Sequence, residues 1–546
     1  MVIRRHARAL IQSLMVAALS LSISVRPAQA EATLFDNLGT LHHNITTMSE
    51  RAQKFFDQGL RLVYAFNHEE AITAFTEASR LDPAAPMPYW GVALSLGPNI
   101  NAAMDPKEEP RAVEAVRKAT TRLAQATPRE RAYVEALATR YALKKSMTRR
   151  AKDEAYANAM RHVAREYPDD VDAATLSAEA LMTLRPWDYW RADGRPQPGT
   201  DEIVATLEAA LQQNPNHPGA CHYYIHTVEA SRDPQRGLEC AKRLPSLMPG
   251  AGHLVHMPAH IYMRVGLYRE ASERNATAAV VDQDYLSRHP LQGNYAAGYY
   301  AHNLHFLNAS LMMEGRSAEA LRAGRDLLAK VSAEELAKEP SLELYAPTLL
   351  LTLARFGHWS DLIRQPPPPK GLRLTTGLWH YVRGLAFVAT TRFGSAEGEL
   401  VNLKKALKPF ARAKTAEAKT SRAILKVAER VLVGELSARR GQYEAGIQAL
   451  REALELEAAL PYSEPPFWFQ PVRHNLGAVL LLAGRPGEAE SIYREDLRLN
   501  PENGWALQGL VQSLRAQNKN EDAAREETRL RTAWARADVT LPGSRF

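Results

Sequence analysis

Histidine is the residue type whose arrangement in this chain carries the most chemical information. Seven histidines fall into three tight groups: His222 and His226; His253, His256 and His260; His302 and His305. Spacings of three or four residues place each group along one face of a helix. The groups also stand in register, since His222 to His256 and His226 to His260 each span 34 residues. Neighbouring helix axes lie about 8–10 Å apart, so imidazoles on facing stripes can converge on one point. A metal bound by nitrogen at about 2.0–2.1 Å requires that convergence. Glu229 continues the stripe of His226, as a further ligand or as a hydrogen-bond partner that orients one. The predicted metal ligands are therefore drawn from His222, His226, Glu229, His253, His256, His260, His302 and His305, holding one ion or two. The competing reading is a polar wall that binds a peptide or protein, or histidines hydrogen-bonded to buried tyrosines such as Tyr223 and Tyr262.

Imidazole suits copper, zinc, iron or nickel, and the nearby Met257, Met263 and Met312 tilt the expectation slightly toward copper. Methionine at helical spacing also serves simply to pack a core. Three histidines on each of two ions would make oxygen chemistry conceivable, and whether the chain is an enzyme stays open. Pro258, between His256 and His260, lacks a backbone donor and is expected to kink its helix. No phosphate-binding GxxxxGK[ST], GxSxG, HExxH or CxxC occurs in the sequence, which removes the reaction classes those motifs carry. His68-Glu69-Glu70 reads as a solvated turn. His42 and His43 belong to an N-terminal arm that either folds back or stays on the surface.

The elements that must position these residues are legible from a second periodicity. From Gly59 the sequence has Ala71, Phe75, Ala78 and Pro83, and the same offsets return at Gly477, Ala489, Tyr493 and Pro501. This resembles the tetratricopeptide repeat, in which small residues let two helices of a hairpin approach, an aromatic fills the seam and a proline ends the second helix. Fainter copies surround Ala271, Ala320 and Ala445, with turn glycines at Gly266, Gly315, Gly357 and Gly441. Strand signals are nearly absent. The fold class expected is all-α, a tetratricopeptide-repeat helical-hairpin solenoid. Numbered within the repeat, the histidines fall at positions 2, 5 and 9, with Glu229, Met263 and Met312 at 12. That stripe lies on the first helix of each hairpin, which in such proteins generally lines the concave groove.

Residues 1–30 read as a signal peptide: Arg4, Arg5 and Arg8 precede an apolar run, and Ala28-Gln29-Ala30 is a cleavage site. The expected location is periplasmic or secreted, with cleavage after Ala30 and no membrane span in what remains. Four arginines of the leader (Arg4, Arg5, Arg8 and Arg26) account for four of the formal net charge of +7, leaving +3. So small an excess argues against nucleic acid as a partner. The polyproline run Pro366–Pro369 reads as a stiff spacer within a linker at 364–372, between an N-terminal array, 31–363, and a C-terminal array, 373–546. Cys221 and Cys240 are either a disulfide or two buried core residues. The segments LRPWDYW, GHLVHMPAHIYMRVG and YYAHNLHFL, with others across residues 34–320, resemble a group of bacterial exported tetratricopeptide-repeat proteins. That resemblance implies the fold and export and implies no reaction.

Overall fold

The computed structural model describes residues 32–141, 147–191, 193–289, 295–331, 335–336, 340–468 and 470–546. The leader read in residues 1–30 lies outside them. Helices occupy most of the described chain, and extended backbone pairs only at an isolated bridge between Trp190 and Pro196. The helices form hairpins, among them Glu50–Tyr64 with His68–Leu81, Ala301–Met313 with Ser317–Lys330, and Gly504–Ala516 with Asn520–Ala533. The all-α helical-hairpin solenoid is the observed fold.

The small and aromatic positions of the repeat explain the stacking. A Cβ built on Gly59 or on Gly91 would stand 2.6 or 2.5 Å from the Phe75 ring, so that ring lies wedged between two successive first helices. Tyr493 does the same between Gly477 and Gly509, where an added Cβ would approach to 2.3 and 2.2 Å. Close approach of this kind is open only to glycine. The turn at Gly266 uses a positive φ of 80°. In the first hairpin the same register position is Phe66, which adopts φ 58° despite its side chain.

Pro258 divides its helix into Gly252–His256 and Pro258–Arg264, as its missing donor requires. The helix Tyr268–Arg288 is 21 residues long and packs on both segments around Pro258. Leucines on both sides of the polyproline run, Leu351 to Leu362 and Leu374 onward, belong to one hydrophobic cluster.

Two long-range contacts matter for the histidines. The last helix exposes an Arg/Glu-rich face, burying only Ala523. Beyond it the chain turns back, and Trp534 and Phe546 pack on Trp505 of the preceding helix, which itself packs with Leu311, Met312 and Phe356 and donates through Nε1 to the Met312 carbonyl at 2.9 Å. Asp538 accepts from the backbone N–H groups of Ser317 and Ala318, at 2.6 and 2.9 Å. The N-terminal arm also folds back. His42 and His43 bind Asp57 and Asp172, and Thr46 binds Glu130. His68 is half-buried beside Phe66 rather than solvated, and burial pushes its pKa down to about 4.

Cys221 and Cys240 are joined in a disulfide that ties the helix Pro218–Val228 to Leu238–Leu247, one residue from His222. Closing a loop of this size restricts the unfolded chain and stabilises by about 3 kcal/mol. Replacing both cysteines with alanine should lower the unfolding free energy by about that amount in a denaturant titration. Two titratable thiols in unreduced, denatured protein would contradict the bridge.

Candidate metal centre

The three histidine groups sit on Pro218–Val228, on the two segments around Pro258, and on Ala301–Met313. They meet as two trios, His222, His226 and His253, and His256, His260 and His302. Within each trio the candidate donor atoms all lie within 4.8 Å of one another. The stripe is not an open groove wall. His222, His226, His253, His256, His260 and Glu229 are at most 2% exposed, while His302 is half-buried. His305 stands outside both trios, edge-on to Tyr345 at 5.3 Å.

Hydrogen bonds fix which nitrogen of each ring is free. The Nδ1 of His222 donates to the Tyr64 carbonyl at 2.7 Å, because a carbonyl oxygen only accepts. The Nδ1 of His256 donates to Asn275 Oδ1 at 2.6 Å, and Asn275 Nδ2 itself donates to the Ala271 carbonyl. Glu229 takes one ring from each trio: Oε1 accepts from His226 Nδ1 at 2.9 Å and Oε2 from His260 Nδ1 at 2.5 Å. Each of these four rings is thereby held with its Nε2 lone pair available. Glu229 acts here as the shared hydrogen-bond acceptor that orients both trios, though it also groups closely enough with His226 and His260 to reach an ion.

The Nε2 atoms then confront one another. His256 Nε2 and His260 Nε2 are 2.9 Å apart, and His222 Nε2 and His253 Nε2 are 3.1 Å apart. In the first pair both Nδ1 protons are committed elsewhere, so two lone pairs face each other. That arrangement needs a positive charge between them. A proton is opposed by burial, which holds His260 to about 3 and His256 well below the ordinary imidazole value. Two nitrogens bound to a common ion at 2.0–2.1 Å lie roughly 2.9–3.4 Å apart for angles between square and tetrahedral, so both observed separations fit a shared metal. His226 Nε2 and His253 Nδ1 are buried with no hydrogen-bond partner.

Burial holds His222 and His226 to about 3 as well, and pushes the Glu229 carboxyl up against the opposing pull of His226. The unfolded chain protonates these imidazoles near 6.5, whereas the folded chain resists until about 3. The unfolded state therefore binds more protons between those limits, so stability is complete above 6.5 and is lost as pH falls toward 3. Chelator-treated protein should unfold at steadily lower urea between about pH 6.5 and pH 4. A flat profile would contradict the burial of neutral histidines.

Phe66, Tyr299 and Phe306, which sequence reasoning missed, enclose the trios together with Trp187. Phe66 lies over His222 at 4.5 Å and stacks on His253 at 5.6 Å. Trp187 stands edge-on to His226 at 4.9 Å, Tyr299 tilts on His253 at 4.8 Å, and Phe306 contacts His256 and His260. Phe66 and Trp187 both have positive φ, 58° and 64°, a strained conformation for bulky residues that tends to cluster at functional sites. A π-helical turn, Tyr295–Tyr300, leads into Ala301–Met313 and presents Tyr299. From the far half of the chain, the Tyr462 hydroxyl donates to Glu464 at 2.8 Å and lies 3.4 Å from Glu229 Oε2. Met312 packs in the core with Trp505, so its sulfur is not a donor in either trio.

One other grouping, His43, Asp170 and Asp172, also has metal-compatible spacing. Its central carboxylate is already taken up: Asp172 accepts from His43, His217 and the Tyr64 hydroxyl. This is an ion-pair network tying the N-terminal arm to the body. His474 binds Asp496 at 2.9 Å and belongs to neither trio.

Fold and site together define a tetratricopeptide-type helical-hairpin solenoid with a buried polyhistidine centre. Structural comparison aligns the chain with human IFIT1 in a dimer with PPP-AAAA, at 13% identity over 90% of this chain and 92% of that one, TM-score 0.34. Yeast Tom70 aligns at 13% identity over 89% and 92%, TM-score 0.30, and the P58(IPK) TPR domain at 12% over 86% and 99%, TM-score 0.20. No protein-family model and no curated protein sequence matches the chain.

Proposed function

We propose that this protein binds transition metal at a two-ion centre, one ion on His222, His226 and His253 and the other on His256, His260 and His302, with Glu229 orienting both sets. The observation that carries this reading is the confrontation of the His256 and His260 Nε2 lone pairs at 2.9 Å in a buried setting. All-nitrogen neutral donors suit copper, zinc or iron, and copper is the first to test. A redox-active ion there would support electron or oxygen chemistry, zinc a structural or hydrolytic role. Export through the leader at residues 1–30 belongs to the same reading. Titration of chelator-treated protein with Co(II), whose visible absorption reports nitrogen coordination, tests it. Saturation at about two ions is expected for two three-imidazole sites. Absence of a coordination spectrum would turn the search toward a peptide- or protein-binding adaptor.

The strained Trp187 stands between His226 and the surface, itself half-buried and flanked by exposed Pro186 and Asp188. Its loop is pinned by Trp190 Nε1 donating to the Thr227 carbonyl at 2.7 Å. Trp187→Gly removes the ring and suits the backbone. A chelator should strip metal about two- to tenfold faster from this variant, the scale of one lost aromatic contact, with stoichiometry unchanged. Equal stripping rates would refute Trp187 as the access point.

A further inference from the structure

A cavity of about 180 Å³ lies in the C-terminal half of the chain, away from the histidine trios, and three guanidinium groups line it, those of Arg355, Arg439 and Arg545. Its lining carboxylate, Glu435, is taken up by Arg545 at 2.8 Å and by Asn475 at 2.7 Å. Arg545 also reaches the Phe546 oxygen at 3.4 Å. That leaves Arg355 and Arg439. Arg355 is only 6% exposed, lies 3.7 Å over the Trp505 ring, and donates through Nη2 to His474 Nδ1 at 3.0 Å. His474 is a neutral acceptor there, because its Nε2 proton goes to Asp496 at 2.9 Å. The charge of Asp496 is thus one imidazole removed from the guanidinium. Burial lowers Arg355 to about 9, which leaves it charged at neutral pH. Arg439 enters from the exposed side, and among the described residues no ion pair to either Arg355 or Arg439 is present.

A buried cation without a counter-ion in contact is costly. The guanidinium fork matches a carboxylate in shape and charge. Trp359 and Leu385 add apolar wall, the mix of a few polar anchors on apolar surface that marks small-molecule sites. The volume is that of about six waters at their liquid share of about 30 Å³ each, enough for a short organic acid.

We infer that this cavity binds a small organic monocarboxylate, its carboxylate group at Arg355 and Arg439 and its hydrocarbon part against Trp359 and Leu385. The whole chain is titrated calorimetrically with sodium hexanoate and sodium benzoate, with sodium phosphate as the anion lacking a hydrocarbon part. One saturable site for a carboxylate is expected. Arg439→Ala should weaken it at least about tenfold, the scale of a charge-assisted pair, and Leu385→Trp should block it by filling the wall. Both positions are at the cavity's accessible side, and thermal melts confirm folding. The variant lacking His256 and His260 should bind hexanoate as the parent does, which separates this site from the metal reading. Absence of saturable carboxylate binding, phosphate binding as tightly as hexanoate, or unchanged affinity in both cavity variants would overturn the inference.

Discussion

The double variant His256→Ala/His260→Ala is expected to retain about one metal ion where the parent holds about two, as two three-imidazole sites require. These rings supply two of the three donors of one trio, and their Nε2 atoms are its closest pair at 2.9 Å. His302 alone cannot hold an ion against a competing chelator. The other trio keeps His222, His226 and His253, but Glu229 loses its His260 partner, so the remaining ion should bind more weakly as well. His305→Ala is the internal control, since His305 packs against Tyr345 outside both trios. It should keep the parent's metal content. Equal metal in the double variant and the parent would remove these residues from the site.

Glu229→Gln should lower affinity at both ions together. The buried carboxylate accepts one Nδ1–H from each trio, on separate oxygens. An amide has the same size but only one accepting oxygen, so one imidazole meets an N–H donor and must rotate or change tautomer. Loss of such an orienting partner typically costs about 10–100-fold in metal affinity. Competition with a chromophoric chelator measures it. Tyr462→Phe, which removes a hydroxyl 3.4 Å from the same carboxylate, should have a smaller effect in the same direction. Parental affinity in Glu229→Gln would reduce Glu229 to packing.

Local periodicity accounts for what was legible in the sequence. The three-and-four spacing placed the histidines on one face of each helix, and the 34-residue register paired His226 with His260, whereas His222 meets His253, three residues short of its register partner His256. The kink at Pro258 was legible from proline chemistry, although its effect was not. Across that break His256 and His260 close to 2.9 Å rather than separate. Which of His302 and His305 joins a trio depends on helix rotation, which i,i+3 spacing alone does not set.

Burial was the main surprise, and it comes from contacts distant in sequence. Tyr462 reaches Glu229 across 233 residues and Trp505 reaches Met312 across 193; no local pattern encodes either. Phe66 did leave a signal, since it occupies the register position that later repeats fill with turn glycines such as Gly266 and Gly315. A bulky residue forced into a left-handed turn is a reason to ask what its side chain covers. Here it covers His222 and His253.

The most direct test of the two-ion centre is elemental analysis of the untagged protein, purified without chelator and read for copper, zinc, iron, manganese and nickel. The account predicts one predominant element at about two ions per chain, from two sets of three imidazoles. A chain that holds no metal as purified, and none after incubation with each ion and desalting, would contradict it.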